Sequence, residues 1–343
     1  MANAFRIGIV GLQHDHLWSY LKGVRGAAGA RITCAADPHA HLREKAARIA
    51  GIPATGLYED HFDMLEKEHL DACLVFAANS RHAELTESCA RRGLHVMVEK
   101  PIASDLRGAD RMLEAAAKHG NRLLVNYRTA FQGFAAECHR QMAKGVLGRP
   151  WMLRVGMGHS GPEERCSPEF LSWLLDPVKN GGGALQDFCT YGAALYAWYF
   201  GRPSRVSARA GLFVKKDRFR AEDHAVITVT SDAGVIGVIE GSWASRPGLA
   251  TFNLHGDAGA IFNSIAQPDR FLILKEGAKE PQPLAIPSAK SWEDRVIPWF
   301  VKHIRDKTPF EGMLEPLVAR NAQEILDAAK RSIATGRDVR LRR

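Results

Sequence analysis

The chain has 343 residues, of which 46% are hydrophobic and 24% are charged. These values are ordinary for a globular protein and exclude a disordered, collagen-like or disulfide-scaffold chain. Because the length is about twice that of a typical domain of roughly 150 residues, we expect two domains, each with its own core.

The net charge of +8 is concentrated near the end of the sequence. Residues 330–343 contain six Lys or Arg and one Asp, which accounts for +5 of the +8. A nucleic-acid-binding protein spreads its basic residues over a face and often interleaves aromatic residues. The localised charge indicates a solvated tail, and we expect no nucleic acid among the partners.

The sequence also predicts the compartment. Residues 1–5 lead directly into an apolar strand pattern, without the regions of a signal peptide. No stretch approaches the roughly 18 apolar residues of a membrane span. The six cysteines show neither a CxxC pair nor zinc-ribbon spacing, which favours reduced thiols. We therefore expect a cytoplasmic protein with no membrane partner.

In the first third of the chain, short apolar runs alternate with amphipathic segments of helix length, the pattern of βαβ units around a parallel sheet. The predicted strands are Phe5–Val10, Arg31–Ala36, Ala72–Phe76, His95–Val98 and Arg122–Val125. The predicted helices cover residues 16–25, 40–50, 59–67, 82–92 and 106–119.

From about residue 150 the pattern changes to strands separated by turns, which predicts a second, largely antiparallel sheet. These strands are Trp151–Met157, Arg205–Phe213, Ala225–Ser231, Val235–Trp243, Ala250–His255 and Ala260–Asn263. Helices are predicted at 131–145, 187–200 and 315–334. The fold class is therefore α/β, with domains at 1–125 and 126–343, and the helix at 315–334 is a candidate for packing back on the first domain.

A partial nucleotide-binding motif follows the first strand. A dinucleotide site has the pattern G-x-G-x-x-G, which lets backbone N–H groups at a helix start approach the pyrophosphate. Here Gly11 supplies the first glycine, while Gln13 and His16 replace the other two. We expect Gly11, Gln13, His14 and His16 to contact a cofactor, with a looser hold on its phosphates.

Asp37 strengthens this prediction because it ends the second predicted strand, 21 residues after His16. An acid at this place hydrogen-bonds the adenosine ribose and repels a 2′-phosphate, so it favours NAD and leaves NADP possible. The alternative is that Asp37 only caps the turn before the helix at 40–50.

His14 and His16 also raise the alternative of a metal-dependent hydrolase, since two histidines after a first strand are able to ligate a metal ion. Such a site needs further ligands at later strand ends, and the sequences there are Ala-Asp-Pro, Ala-Ala-Asn-Ser and Glu-Lys-Pro. We therefore expect no metal and place both histidines at the mouth for the phosphates and nicotinamide.

Two later motifs carry ionisable residues. Glu99, Lys100 and Pro101 end a strand at the edge of a parallel sheet where ligands bind. A lysine there is able to stabilise an alkoxide and to lower the pKa of a neighbour, although alone the motif could be a solvated turn.

Asp187 and Tyr191 follow three consecutive glycines and, four residues apart, share a helix face. Considered as isolated residues, Asp187 and Tyr191 would more often cap a helix and pack in a core.

The order of these motifs along nearly the whole chain resembles the Gfo/Idh/MocA oxidoreductases. The resemblance implies a Rossmann domain that binds NAD(P), followed by an α/β domain with an open sheet that supports homodimers or homotetramers. It also implies dehydrogenase activity on a CH–OH group of a small-molecule substrate, a sugar, a polyol or a related hydroxylated compound.

The resemblance assigns roles by matching position. Lys100 is the catalytic lysine, Asp187 the aspartate of the second motif, and Tyr191 stands where many members have histidine. Asn79 and His82 lie beside the cofactor together with Glu99, and Arg128 is a candidate substrate contact. Three softer candidates for the substrate are His159, Trp173 and Trp243, whose aromatic faces suit a sugar but which more often pack in a core.

One further alternative stays open at this point. A nucleotide-binding sensor or regulator could keep this fold without turnover, and the altered glycine loop favours it. The retention of Lys100, Asp187 and Tyr191 favours the enzyme.

Overall fold

In the computed structural model, which describes residues 4–24, 27, 29–287 and 293–341, a six-stranded parallel sheet occupies the first part of the chain. Its order is β3-β2-β1-β4-β5-β6. The strands are β1 Phe5–Val10, β2 Ala30–Ala36, β3 Leu57–Tyr58, β4 Ala72–Val75, β5 His95–Glu99 and β6 Leu123–Asn126. The strand order reverses at β1, which pairs with both β2 and β4, and ligands bind at such a switch point.

The strands β4 and β6 are buried along their whole length, as expected where helices cover a parallel sheet on each side. The helices are α1 His16–Gly23, α2 Ala40–Ala50, α3 His61–Lys67, α4 His82–Arg91 and α5 Leu106–His119. Local chemistry fixes their ends: in α5, Asp105 accepts the N–H of Gly108 at 2.7 Å, and Gly120 ends the helix at φ +69°.

A nine-stranded sheet organises the second part, in the order β14-β13-β12-β11-β7-β10-β9-β8-β15. β7 and β10 are parallel, and the other pairs are antiparallel. The strands are β7 Pro150–Gly158, β8 Arg205–Gly211, β9 His224–Thr230, β10 Ile236–Ser242, β11 Leu249–Gly256, β12 Gly259–Ser264, β13 Gln267–Lys275, β14 Gln282–Pro283 and β15 Val339–Arg340.

The remaining helices are α6 Phe134–Ala143, α7 Pro168–Leu174, α8 Pro177–Asn180, α9 Thr190–Phe200, α10 Glu293–Arg305 and α11 Pro316–Thr335. α9 lies on the second sheet, because a Cβ added at Gly192 would be 2.6 Å from Ile239 of β10 and 3.2 Å from Val155 of β7. No helix in the described part of the chain is long and apolar enough to cross a membrane.

The two compact units are not continuous in sequence, unlike the predicted domains 1–125 and 126–343. The first runs to Phe131 and also includes Cys166–Leu174 and the stretch with α10 that ends at Leu317. The second takes α11 from Val318 onward, where Gln323 bonds Gln186 and the hydroxyl of Ser332 accepts the N–H of Ala208. Pattern changes along a sequence do not reveal such insertions, because each inserted segment is short.

The predicted α/β class is confirmed, with a parallel sheet and a mostly antiparallel one. The predicted elements appear with ends displaced by a few residues. The sequence patterns did not predict the two-residue strands, the short helices α7 and α8, the helix α10 or the strand β13. The first residues of β13, Gln267–Arg270, are too polar to indicate a strand.

Candidate active site

The turn after β1 is built around Gly11. Its φ is +79°, and its N–H donates to the carbonyl of Ala36 at the end of β2. A Cβ at this position would lie 2.7–2.8 Å from three atoms of Ala77 in the loop after β4. Glycine is therefore required here both for its conformation and for the close approach of two loops.

A pocket opens at the carboxyl ends of β1, β2 and β4, where the switch point predicts a nucleotide. Its lining includes Gly11, Gln13, Asp37, Glu59 and Arg81. The glycine turn and the acid after β2 fit an adenine dinucleotide, because the backbone is exposed to a phosphate and a carboxylate lies where the ribose hydroxyls would be.

Asp37 has a structural role as well. One carboxylate oxygen accepts the N–H of Leu12 at 2.8 Å, and the other accepts the N–H of His39 at 2.9 Å. The Nδ1 of His39 lies 2.8 Å from the second oxygen. Asp37 therefore ties the turn after β1 to the turn after β2, so it both shapes the pocket and lines it.

His14 does not lie at the mouth of this pocket, contrary to prediction. It is buried, with its ring centroid 4.4 Å from that of Phe170 and 5.5 Å from that of Trp173 on α7. Burial lowers the pKa of His14 well below its usual value. The inserted segment Cys166–Leu174 supplies this cover, which sequence spacing could not show.

His16 remains partly exposed and contacts Glu99, with its Nδ1 3.0 Å from a carboxylate oxygen. The other oxygen of Glu99 accepts the side-chain amide of Asn126 at 2.8 Å. Burial raises the pKa of Glu99, and the charges of His14 and Lys100 oppose that shift. Glu99 is thus held between β1's turn and β6 rather than exposed at a cofactor surface.

Ligating atoms of His14, His16 and Glu99 lie within 4.8 Å of one another, a spacing compatible with a metal ion. Their hydrogen bonds argue against it. The Nδ1 of His14 accepts the N–H of His16 at 3.2 Å, which leaves the neutral ring's proton on Nε2. A metal ion needs a nitrogen lone pair, so binding would require His14 to give up this bond.

Lys100 follows β5 directly and is almost fully buried, with 4% of its surface exposed. It stands at the carboxyl edge of the sheet, as predicted. Asn79 is buried at the start of the turn that leads into α4, and Arg128 is half-buried just after β6. These residues come from three neighbouring strand ends of one sheet edge.

In the second unit, Asp187 lies in a single wide turn, Leu185–Cys189, with π-helical geometry. π turns occur frequently at functional sites. The glycines before this turn allow the chain to approach Glu222 closely, because a Cβ at Gly183 would lie 2.1 Å from the backbone carbonyl oxygen of Glu222. The Glu222 carboxylate accepts the N–H groups of Gly183 and Leu185 at 2.7 and 3.1 Å.

Trp243 is a buried partner of Asp187, which agrees with core packing, the more frequent of the two roles considered for it, and not with an exposed sugar platform. Its ring is fully buried, and its Nε1–H donates to the carboxylate of Asp187 at 2.9 Å. His159 lies nearby, edge-on to Phe188 at 5.0 Å. Burial lowers the pKa of His159, and the charge of Asp187 opposes that shift.

Tyr191 is the second residue of α9, and only 1% of its surface is exposed. Asp187 lies in the π turn that leads directly into α9, four residues before Tyr191. The second unit therefore contains Asp187, Trp243 and His159 as one connected group, whereas Trp173 belongs to the first unit with His14.

Comparisons with known proteins agree with this geometry. Residues 5–127 match the family model described as "Oxidoreductase family, NAD-binding Rossmann fold". Residues 136–262 match the "GFO/IDH/MocA C-terminal domain". The chain belongs to the Gfo/Idh/MocA family. The resemblance drawn from the sequence motifs is thereby confirmed.

Among relatives of this Gfo/Idh/MocA protein, inositol 2-dehydrogenase 4 of Saccharopolyspora erythraea is 30% identical over 68% of this chain and 66% of that protein. Myo-inositol 2-dehydrogenase of Thermotoga maritima is 26% identical over 60% of each. The chain thus spans about three fifths of the length of the latter relative.

Solved structures show the same fold at low identity. An aldose-aldose oxidoreductase from Caulobacter crescentus, complexed with glycerol, has a TM-score of 0.85 at 21% identity and covers 99% of this chain and 100% of its own. A levoglucosan dehydrogenase in complex with NADH and levoglucosan has a TM-score of 0.83 at 17% identity, with the same coverage.

Sequence reasoning missed several residues that build the site in this family member. Glu222 caps the turn that carries Asp187, and Phe170 covers His14. Neither has a local signal: Glu222 lies in a charged loop, and Phe170 in a short segment without clear periodicity. Asn126 ends β6, and its bond to Glu99 depends on the alignment of β5 with β6, which no local pattern shows.

Proposed function

We propose that this protein is an NAD(P)-dependent dehydrogenase or reductase that acts on a CH–OH group of a sugar, a polyol or a related small hydroxylated compound. The observation that carries the proposal is the buried Lys100 at the carboxyl edge of a sheet whose switch point has the Gly11 turn and the Asp37 pocket. The names of the relatives, which are inositol and sugar dehydrogenases, support the same class.

The proposed catalytic residues are Lys100, Asp187 and Tyr191. A bound nicotinamide would supply or accept the hydride. Lys100 polarises the substrate oxygen, because a compact ammonium stabilises developing alkoxide charge. Tyr191 exchanges the proton of the substrate hydroxyl, and Asp187, fixed by Trp243, orients the substrate. Arg128 and His159 are the proposed substrate contacts.

We propose NAD as the preferred cofactor. Three carboxylates line the nucleotide pocket, those of Asp37, Glu59 and Asp60. Arg81 also lines it, but its guanidinium is 3.3 Å from Glu84 outside the lining. An acidic pocket repels the additional phosphate of NADP and accepts the hydroxyls of an unmodified ribose.

The test begins with fluorescence titration of the purified protein with NADH and NADPH, followed by a turnover screen of polyols and aldoses with NAD. The Lys100→Met variant should bind NADH as the native protein does and lose turnover, while Lys118→Met, an exposed lysine on α5, serves as the matched control. Undiminished activity in Lys100→Met would refute the role of the lysine.

Two outcomes would favour the alternatives. Tight NADH binding without turnover across the screen favours a sensor with this fold. Absence of nucleotide binding, together with stoichiometric zinc or manganese in the purified protein, favours a hydrolase built on His14, His16 and Glu99.

We further propose a cytoplasmic homodimer or homotetramer formed through the second sheet. The face of β10 opposite α9 carries the exposed Ile236 and the half-buried Val238. Ile236 lies beside Met152 of the neighbouring strand β7. Five of the cysteines, Cys34, Cys73, Cys89, Cys138 and Cys189, are buried thiols, which suits a reducing compartment. Light scattering should give a multiple of the 37.8 kDa chain mass, and Ile236→Arg should reduce it.

A further inference from the structure

His82, the first residue of α4, has an unusual set of neighbours. The ring is fully buried, and carbonyl oxygens face both of its nitrogens. Nε2 lies 3.1 Å from the carbonyl of Ala77, and Nδ1 lies 3.1 and 3.2 Å from those of Pro101 and Ile102. One side chain therefore spans the loop after β4 and the loop after β5.

Each of these loops carries part of the site. Ala77 is the residue against which Gly11 packs, and no atom larger than hydrogen fits between Gly11 and Ala77. Pro101 is joined directly to Lys100. His82 therefore lies between the loop that packs on the nucleotide turn and the segment that follows Lys100.

We propose that His82 is a positioning residue for Lys100, and that it acts by clamping the Pro101–Ile102 carbonyls to the loop that packs on the nucleotide turn. This differs from the predicted cofactor contact, because both ring nitrogens are engaged with the protein. The proposal rests on the function proposed above, since it concerns the lysine assigned to that reaction.

The chemistry of the ring makes the clamp specific to histidine. An imidazolium donates two N–H groups in opposite directions, whereas a neutral imidazole donates one and hydrogen-bonds to one loop while its other edge packs against the second. Burial lowers the pKa of His82, while the facing carbonyls and Glu99 oppose that shift. The charge of His14 also interacts with this ring.

The kinetic test compares three variants. His82→Leu removes the hydrogen bonding of the ring, and His82→Gln retains an amide donor that reaches one side. His95→Gln is the matched control, because His95 lies at the opposite end of β5 and its Nδ1 accepts the N–H of Arg122 at 3.1 Å.

We expect His82→Leu to lower kcat 10- to 100-fold, the loss that a displacement of about 1 Å produces at a catalytic group. The Kd for NADH should change less than threefold, and His82→Gln should recover part of the loss. His95→Gln should leave kcat unchanged even where it lowers the melting temperature. A purely structural role predicts lower melting temperatures with kcat unchanged in the folded His82 variants, and that result would overturn the proposal.

A second readout does not depend on activity. Amide hydrogen exchange in the cofactor-free protein should accelerate in peptides covering residues 100–106 in His82→Leu, less in His82→Gln, and not in His95→Gln. Unchanged exchange in this segment would overturn the clamp. If the native protein turns over no substrate in the screen, the proposed function fails, whereas this exchange measurement still decides whether His82 holds the segment.

Discussion

Replacement of Gly11 by alanine tests the construction of the nucleotide turn. Two costs add at this position. A φ of +79° costs a residue with a Cβ about 1–2 kcal/mol. In addition, the new methyl group would lie 2.7–2.8 Å from Ala77, closer than real Cβ contacts, so two loops must separate at a cost of about 1–3 kcal/mol. We expect the free energy of unfolding to fall by about 2–5 kcal/mol.

Gly51 provides the matched control. It ends α2 at φ +74°, and a Cβ added there meets nothing within 4 Å. Gly51→Ala should therefore lose only the backbone cost of about 1–2 kcal/mol. Urea unfolding gives both values, and NADH titration should show an affinity at least tenfold lower in Gly11→Ala alone. Equal destabilisation by the two substitutions, with equal NADH affinity, would refute the proposed contact between the two loops.

Three further substitutions address the pocket, the second unit and the response to pH. Asp37→Asn should shift the ratio of NADPH to NADH affinity toward NADPH by about tenfold, because it removes a charge that repels the 2′-phosphate; an unchanged ratio in paired titrations would contradict this role. Trp243→Phe should reduce the free energy of unfolding by about 1.5–3 kcal/mol, since a buried bond to the Asp187 carboxylate is lost, and a loss below 0.5 kcal/mol by urea unfolding would contradict it. The folded-state pKa of His14 is lowered, so its stabilising contribution is present above the unfolded pKa of about 6.5 and is lost as the pH falls below it. Between pH 7.5 and 5.5 the native protein should lose more stability than His14→Gln in urea unfolding, and equal losses would contradict the assignment.

The sequence was sufficient for the order of the first sheet's main elements and for the sheet edge where Gly11, Asp37 and Lys100 lie, because these depend on local patterns. It was insufficient for contacts that long-range folding creates. The cover of His14 comes from Phe170 and Trp173, more than 150 residues later in the chain. The bond from Trp243 to Asp187 joins residues 56 positions apart, and no spacing rule predicts it.

The alternatives raised for single residues in the sequence turn out not to exclude each other. Asp37 was expected either to bind ribose or to hold a turn, and its carboxylate lines the pocket while it accepts two backbone N–H groups. A carboxylate has about four acceptor sites, so both roles fit one side chain. The same bonds that hold the turn fix the orientation that a ribose would need. For Asp37 the structural hydrogen bonds are therefore no evidence against a binding role, and a ligand titration of Asp37→Asn, compared with its stability, separates the two contributions.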